Sequence, residues 1–237
     1  EAVRRACALP GLAAEGIFTH FAVSDEDGED SRGYTLLQYR RFDGMVRALE
    51  AEGVRFTLRH CANSGAAVGY PQLGRDLFRP GIVSYGIGHQ AGLLGLRPVM
   101  ALKTVIGTVR ELPADTSVSY GRTYLTRQPT RAGVLPIGYA DGLHRTLSNR
   151  WRVWTPCGTA PILGRICMDM CMVDLTGLPQ VREGDEVEVY GPHNSVNEAA
   201  GLAGTIAYEL TCAVSKRVPR VYHRNGREIA RELLLRT

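Results

Sequence analysis

Three apolar segments in the first part of the chain end in polar side chains that can take part in chemistry. His20 ends the first segment, His60 and Ser64 follow the second, and Arg79 and Gly81 lie in the third. In parallel α/β sheets, functional groups lie at the carboxyl ends of the strands, where a serine hydroxyl and backbone N–H groups can bind a phosphate. The spacing therefore indicates a site for a small phosphorylated ligand. The alternative is that the histidines are hydrogen-bonded structural residues.

A tyrosine with open surroundings lies in the second part of the chain. Tyr139 follows an apolar segment and is flanked by small residues, Gly138, Ala140 and Gly142. These small neighbours leave room for another group to approach the phenol. The alternative is an ordinary surface tyrosine.

The segment 164–170 alternates with a period of two, which predicts a strand. Cys167 and Asp169 would share one face and Met168 the other; the alternative is a core strand with one solvent-facing carboxylate. Cys167 and Cys171 are the one close pair among the six cysteines. Because no CxxC pair with nearby histidines follows, we expect reduced thiols and no metal site.

The elements that must position the first group alternate between strand and helix. The apolar segments 16–22, 56–62 and 77–83 predict strands, and Phe42, Met45, Val46 and Leu49 recur at helical spacing. This order predicts crossover units and a parallel sheet. Three such units cannot cover and close a parallel sheet. We therefore expect residues 1–96 to be the second half of a larger α/β domain and, since the chain starts at Glu1, a truncated N-terminus.

The chain changes character near residue 97. Strand-like segments broken by Gly, Pro, Asp and Asn follow at 99–109, 118–120, 132–137, 151–154, 160–172 and 186–190. Such spacing is typical of a compact all-β domain. Ser195 resembles the N-cap of one or two helices that extend to Val214. The expected fold class is therefore α/β followed by all-β, with the second domain at 97–237.

Composition and charge exclude several classes of protein. The net charge is +4. Most of the positive charge comes from arginines scattered along the chain, because Lys103 and Lys216 are the sole lysines. A nucleic-acid surface would cluster basic residues and interleave aromatic ones, so we expect no nucleic-acid partner. The apolar stretches are far shorter than the roughly 18 residues of a membrane span, and no signal peptide is visible. We expect a cytoplasmic protein with no membrane contact.

Taken together, seven segments resemble the alanine racemase family. They are 16–22, 60–64, 79–82 with 85–86, 118–121, 135–145, 164–172 and 208–209. The resemblance implies a TIM-type (β/α)8 barrel, of which this chain holds part, followed by a C-terminal β domain. It also implies interconversion of L- and D-alanine by two-base proton transfer on alanine bound to pyridoxal 5'-phosphate (PLP). The product D-alanine would supply cell-wall peptidoglycan.

The family binds PLP through a lysine on an early barrel strand, in a Lys-Ala-Asn-Ala-Tyr-Gly-like segment. That segment is absent here, and neither Lys103 nor Lys216 matches it. The resemblance therefore implies that the PLP lysine lies outside this sequence and that these 237 residues do not catalyse the reaction unaided.

The resemblance also carries residue roles. It makes Tyr139 the second base, which removes the α-proton of L-alanine, and it makes His20 and Arg79 a chain that leads from this tyrosine towards the PLP ring. Arg79 would face the ring nitrogen; because arginine keeps its proton, PLP would be a weaker electron sink there. The remaining cofactor-binding positions are Ser64, Gly81, Ile82 and Tyr208.

The substrate positions come from the same resemblance. Met168 would contact the substrate carboxylate through its backbone, and Cys167 and Asp169 would line the entrance. In the family Tyr139, Met168 and Asp169 reach into the partner subunit, so we expect a head-to-tail homodimer. No chemical role is expected for His60.

Two alternatives stay open at this point. One is a racemase of broader specificity that also accepts serine, since one or two pocket atoms are worth only about 1–3 kcal/mol. The other is a non-catalytic binding module in which the β domain recognises a ligand.

Overall fold

The computed structural model describes residues 1–235, apart from the side chain of His89. The chain divides into two compact units, Glu1–Arg97 and Pro98–Thr237, and each is described by itself. Within the described residues, no helix combines the length and apolar character that crossing a membrane requires.

The first unit alternates helices with short strands. Its elements are α1 (Ala2–Cys7), β1 (Gly16–Phe18), α2 (Glu29–Ala51), β2 (Leu58–His60), α3 (Ser64–Gly69) and α4 (His89–Leu93), with 3-10 turns at Pro71–Leu73 and Ile82–Tyr85. Strands β1 and β2 pair in parallel, with Ile17 opposite Arg59. The predicted parallel crossover is therefore confirmed, although both strands are shorter than their apolar segments.

Helix α2 covers the sheet with the face that its periodicity predicts. Phe42, Val46 and Leu49 are buried, whereas Met45 is exposed. Phe42 and Val46 pack in one cluster with Phe21, Cys61, Ala62, Ala66 and Leu73. Full burial of a Phe, Val or Leu side chain stabilises a fold by about 1.5–3 kcal/mol. This cluster fixes the segments that follow β1 and β2.

The strand predicted at 77–83 is wrong. The segment contains no strand, and a 3-10 turn begins at Ile82. Pro80 has no N–H to donate to a sheet, which removes one ladder hydrogen bond. Instead, the N–H of Arg79 donates to the carbonyl oxygen of Ala62 at 2.9 Å, so the segment lies beside the turn that follows β2.

The second unit is built on an antiparallel sheet of seven strands in the order β3-β11-β8-β9-β10-β7-β4. These strands are β3 (Leu102–Val105), β4 (Thr108–Leu112), β7 (Thr130–Leu135), β8 (Arg152–Thr155), β9 (Gly158–Leu163), β10 (Cys171–Asp174) and β11 (Glu186–Tyr190). A separate two-stranded sheet is formed by β5 (Ser117–Val118) and β6 (Tyr124–Leu125). Buried Trp151 donates its indole N–H to the carbonyl oxygen of Val189 at 3.0 Å.

Two helices and a hairpin complete this unit. They are α5 (Val196–Ala203), α6 (Ala207–Ala213), β12 (Arg220–Arg224) and β13 (Arg227–Glu232). The predicted N-cap is confirmed, because Ser195 Oγ accepts the backbone N–H of Glu198. The strand predicted at 164–170 is wrong. These residues form a loop in which the N–H of Cys167 donates to Met170 O at 2.9 Å.

Candidate active site

Arg79 is the centre of a polar cluster in the first unit. One guanidinium nitrogen donates to His60 Nδ1. The other donates to the carbonyl oxygen of Thr19 at 3.0 Å and contacts His20 Nδ1 at 3.3 Å. The guanidinium also lies 5.3 Å from the centre of the Phe18 ring. The structure thus brings His20 and Arg79 together, and it adds His60, for which no chemical role was expected.

His60 is held as a neutral acceptor for this arginine. Its ring stacks on Phe18 with 5.2 Å between the ring centres. Burial and then the positive charge of Arg79 lower the pKa of the imidazole below its usual value, while Asp76 acts weakly in the other direction. A neutral imidazole can accept the arginine N–H through Nδ1, which fixes the guanidinium.

Helix α2 positions the loop that carries His20. Gln38 Nε2 donates to the carbonyl oxygen of His20 at 2.6 Å and to Thr19 Oγ1 at 3.1 Å. Its Oε1 atom accepts the N–H of Ala22 at 3.2 Å. The helix therefore sets the position of the residue that follows β1.

Ser64, Gly81 and Ile82 form a corner of hydrogen-bond donors. Ser64 Oγ accepts the N–H of Gly81 at 2.8 Å, so the serine proton stays available for an outside acceptor. Within the described part of the chain, no protein acceptor is found for the N–H of Ile82, a residue that is only 6% exposed. A Cβ at position 81 would make ordinary van der Waals contact with Ser64 Oγ, at 3.6 Å. The corner can bind an oxyanion.

In the second unit, Tyr139 lies in a tight turn that is bound to the Cys167 loop. The N–H groups of Tyr139 and Ala140 donate to the carbonyl oxygens of Cys167 and Met168, both at 3.0 Å. Tyr139 and Met168 are both exposed, at 43% and 53%. The predicted residues Tyr139, Cys167, Met168 and Asp169 thus lie on one surface.

Gly138 makes this contact possible. A Cβ at this residue would lie 2.3 Å from the carbonyl oxygens of Cys167 and Met168. Real Cβ atoms do not approach backbone so closely, so the position requires glycine. The space left by the small residue Gly138 is therefore occupied by the backbone of the Cys167 loop.

Tyr120 is a second exposed phenol that received no role from the sequence. It is 71% exposed and lies in a loop where Ser119, Gly121 and Arg122 all have positive φ. Strained backbone of this kind concentrates at functional sites. Ser119 Oγ donates to the carbonyl oxygen of Arg165 at 2.6 Å and lies 3.5 Å from Cys167 Sγ, so this loop also contacts the Cys167 segment. The sequence feature that could have identified Tyr120 is the Ser-Tyr-Gly motif that follows a short strand.

The remaining candidate residues have simpler surroundings. Tyr208 lies near the start of α6 and is partly exposed. Lys103 pairs with Glu186 at 2.6 Å on the edge strand β3, which is an ordinary surface ion pair. Among the residues described, no group of three or more His, Cys, Asp or Glu side chains could hold a metal ion.

The fold and these clusters define a class of protein: an α/β unit with an oxyanion corner and an arginine–histidine cluster, followed by an antiparallel β unit. A family model described as alanine racemase, C-terminal domain, matches residues 99–222. A second, described as alanine racemase, N-terminal domain, matches residues 1–89. The chain belongs to the alanine racemase family. The predicted resemblance and fold class, part of a (β/α) barrel followed by a β domain, are confirmed.

Individual relatives agree with this family. "Alanine racemase 2" of Caldanaerobacter subterraneus is 44% identical over 225 residues, which is 92% of this chain and 57% of that protein. The solved alanine racemase of Clostridium difficile 630 with cycloserine has a TM-score of 0.90 at 33% identity and covers 98% of this chain and 62% of its own. The Bacillus anthracis alanine racemase with bound L-Ala-P has a TM-score of 0.84 at 31% identity, and the match covers 94% of this chain and 59% of that one. The chain therefore spans somewhat more than half the length of these relatives.

Proposed function

We propose that this chain is the part of an alanine racemase that binds the phosphate and ring of PLP and contributes a phenol base to the interconversion of L- and D-alanine. Family membership supports the reaction class. The observation that carries the assignment of PLP to this chain is the donor corner at Ser64 and Ile82.

The residues present fit the phosphate of PLP. Ser64 O–H and the N–H of Ile82 offer two donors, since Ser64 Oγ accepts the N–H of Gly81 and keeps its own proton for an outside acceptor. Hydrogen bonds to a charged group are worth about 1.5–3 kcal/mol each. Tyr208 is proposed as a further phosphate contact on the basis of its motif.

Arg79 is proposed to bind the ring nitrogen. When bound, PLP supplies an electron-withdrawing ring that acidifies the α-hydrogen of the attached amino acid. Arg79 offers N–H donors and retains its own proton, because a guanidinium is not deprotonated in proteins. His60, as a neutral acceptor, holds the guanidinium in place. Arg79 would thereby moderate the electron demand of the ring, which limits side reactions of the amino acid.

A phenol is proposed to remove the α-proton of L-alanine. The resemblance of its motif makes Tyr139 the first candidate, and the strained, exposed loop of Tyr120 makes that phenol the second. A phenol has a pKa near 10 and needs nearby cationic charge to act as a base at neutral pH. In a head-to-tail dimer, His20 and Arg79 of one subunit would supply it to the tyrosine of the other.

The loop 167–169 is proposed to receive the substrate. The backbone of Met168 would contact the carboxylate, with Cys167 and Asp169 at the entrance. Two solved relatives contain cycloserine and L-Ala-P, which supports a site of the size of alanine. The covalent lysine is expected from sequence beyond these 237 residues, because Lys103 is engaged with Glu186 and Lys216 matches no family motif.

The test is racemisation by the whole protein that contains this chain, supplied with PLP and followed by optical rotation from either enantiomer. We expect L-alanine to racemise and the activity to be lost when PLP is removed. Faster turnover of L-serine would favour the broader racemase. Ligand binding by residues 97–237 with no PLP requirement and no racemisation would favour the binding module and overturn the proposal.

A further inference from the structure

We propose that Arg217 is a positioning residue that fixes the Tyr139 turn and the Met168 loop relative to each other, an inference that rests on the proposed function. Arg217 lies just beyond α6 and is part of no motif that carried the family resemblance. It hydrogen-bonds Asp169 at the proposed entrance, and within the described residues no hydrogen bond joins it to Tyr139 or Met168, so its effect on those two residues passes through their neighbours.

The guanidinium bridges two carboxylates from different segments. Arg217 Nε donates to Asp141 Oδ1 at 2.7 Å, and Nη2 donates to Asp169 Oδ1 at 2.6 Å. Asp141 lies in the turn of Tyr139, and Asp169 follows Met168 directly. These hydrogen bonds raise the pKa of Arg217 above its ordinary value, so the bridge stays charged. One side chain thus clamps both segments of the candidate site.

Asp141 transmits this contact into the turn. Its other carboxylate oxygen accepts the N–H of Gly138 at 2.8 Å. Gly138 is the residue that abuts the carbonyl oxygens of Cys167 and Met168. Gly138 allows the Tyr139 turn to approach the backbone of Cys167 and Met168 closely. Arg217 stabilises this contact from the solvent side through Asp141 and Asp169.

The segment that carries Arg217 is itself fixed on the turn. The N–H of Ser215 donates to the carbonyl oxygen of Asp141 at 3.2 Å, and the N–H of Arg217 donates to Ser215 Oγ at 3.3 Å. A Cβ at Gly142 would lie 2.8 Å from the Cα atom of Val214, so these backbones are in direct contact. Such anchoring gives the guanidinium a defined position, which an isolated surface ion pair lacks.

Arginine is the residue type that this geometry requires. Its planar fork presents donors in two directions at once, whereas the lysine ammonium is a compact charge on a flexible stem. Arg217→Lys keeps the charge and should lose the simultaneous contact with Asp141 and Asp169. Arg152→Lys is a matched control. Arg152 makes a two-bond pair with Glu198 at 2.8 and 2.7 Å in the same unit, and it contacts no residue of the candidate site.

The experiment compares both lysine variants in the whole protein with PLP. For Arg217→Lys we expect kcat/KM for alanine to fall about tenfold to a hundredfold, as displaced reactive groups do, with KM rising more than kcat falls. The melting temperature should fall only slightly, since lysine keeps the positive charge and the backbone contact of Ser215 with the turn remains. Arg152→Lys should retain full activity.

A second readout does not need turnover. Hydrogen exchange of the Tyr139 and Ala140 amides, which donate to the Cys167 loop, should quicken in Arg217→Lys while the other sheet amides keep their rates. Unchanged kcat/KM, or unchanged exchange at these two amides, would overturn the role of Arg217. Failure of the unaltered protein to racemise alanine would instead overturn the proposed function, and the exchange measurement would still decide whether Arg217 orders the loops.

Discussion

The backbone N–H of Tyr139 donates a hydrogen bond to the carbonyl oxygen of Cys167 at 3.0 Å. The next residue repeats the contact with Met168, and Gly138 leaves no room between the two backbones. The turn and the loop therefore behave as one rigid element. The phenol of Tyr139 and the backbone of Met168 that we propose to bind the substrate can keep a fixed separation on such an element, which catalysis by positioned groups requires.

Replacement of Gly138 tests this packing. Gly138→Ala would place a Cβ against two carbonyl oxygens, and we expect the free energy of unfolding to fall by about 3 kcal/mol, the upper range for overpacking. Gly201→Ala is the control in the same unit, since Gly201 is helical and has open space around it. That variant should gain roughly 0.5–1 kcal/mol. Urea denaturation measures both, and equal stability of the two variants would contradict the close approach.

Removal of the Ser64 hydroxyl tests the phosphate corner. In Ser64→Ala, the Kd for PLP should rise about tenfold or more, because one hydrogen bond to a charged group is lost. Pyridoxal, which lacks the phosphate, should bind both proteins equally. Ser195→Ala, which removes a helix cap in the other unit, should leave the Kd for PLP unchanged. Titration followed by the absorbance of the cofactor measures each Kd. An equal rise in the Kd for pyridoxal would rule out a phosphate contact at Ser64.

His60 should make stability depend on pH. Its folded-state pKa is lowered, so below about pH 6.5 the unfolded chain binds a proton that the folded chain resists. The stability from neutral His60 is complete above that pH and is lost as the pH falls towards the lowered pKa of the folded state. We expect His60→Gln to flatten this part of the stability curve and His223→Gln, in the exposed hairpin, to leave it unchanged. A curve unaltered by His60→Gln would contradict the lowered pKa.

The sequence predicted correctly those elements in which the local pattern of apolar and capping residues matches the way the element packs. Helix α2 has an apolar stripe, and α5 has a serine cap, and both form where expected. The segment 77–83 has apolar residues but also Pro80, and the missing N–H turns it away from the sheet. The segment 164–170 alternates like a strand, yet its backbone bonds with the Tyr139 turn replace a ladder.

The hairpin β12–β13 was missed for a different reason. Nearly all of its side chains are exposed, so it has no buried face and no hydrophobic alternation. Its connection, Asn225–Gly226, has positive φ at both residues and is the common signal for a tight hairpin. That dipeptide was the only local indication of the two strands.

The candidate site was predictable in its residue types and not in its contacts. Motifs identified Arg79, His20 and Ser64, but the contact of Arg79 with His60 depends on two segments that meet only in the folded unit. The bridge from Arg217 to Asp141 and Asp169 likewise joins residues far apart in the chain. No local pattern encodes such pairs, because side-chain direction follows from tertiary packing.

The central claim is that a phenol of this chain removes the α-hydrogen of L-alanine. The most direct test uses the whole protein with PLP in D2O. NMR then measures the rate at which the α-hydrogen of alanine exchanges for deuterium. Tyr139→Phe should abolish racemisation and stop exchange from L-alanine, while D-alanine, served by the other base, still exchanges. Tyr120→Phe is measured in parallel, and the same selective loss there would transfer the role to Tyr120. Exchange from L-alanine at the unaltered rate in both variants would contradict the account.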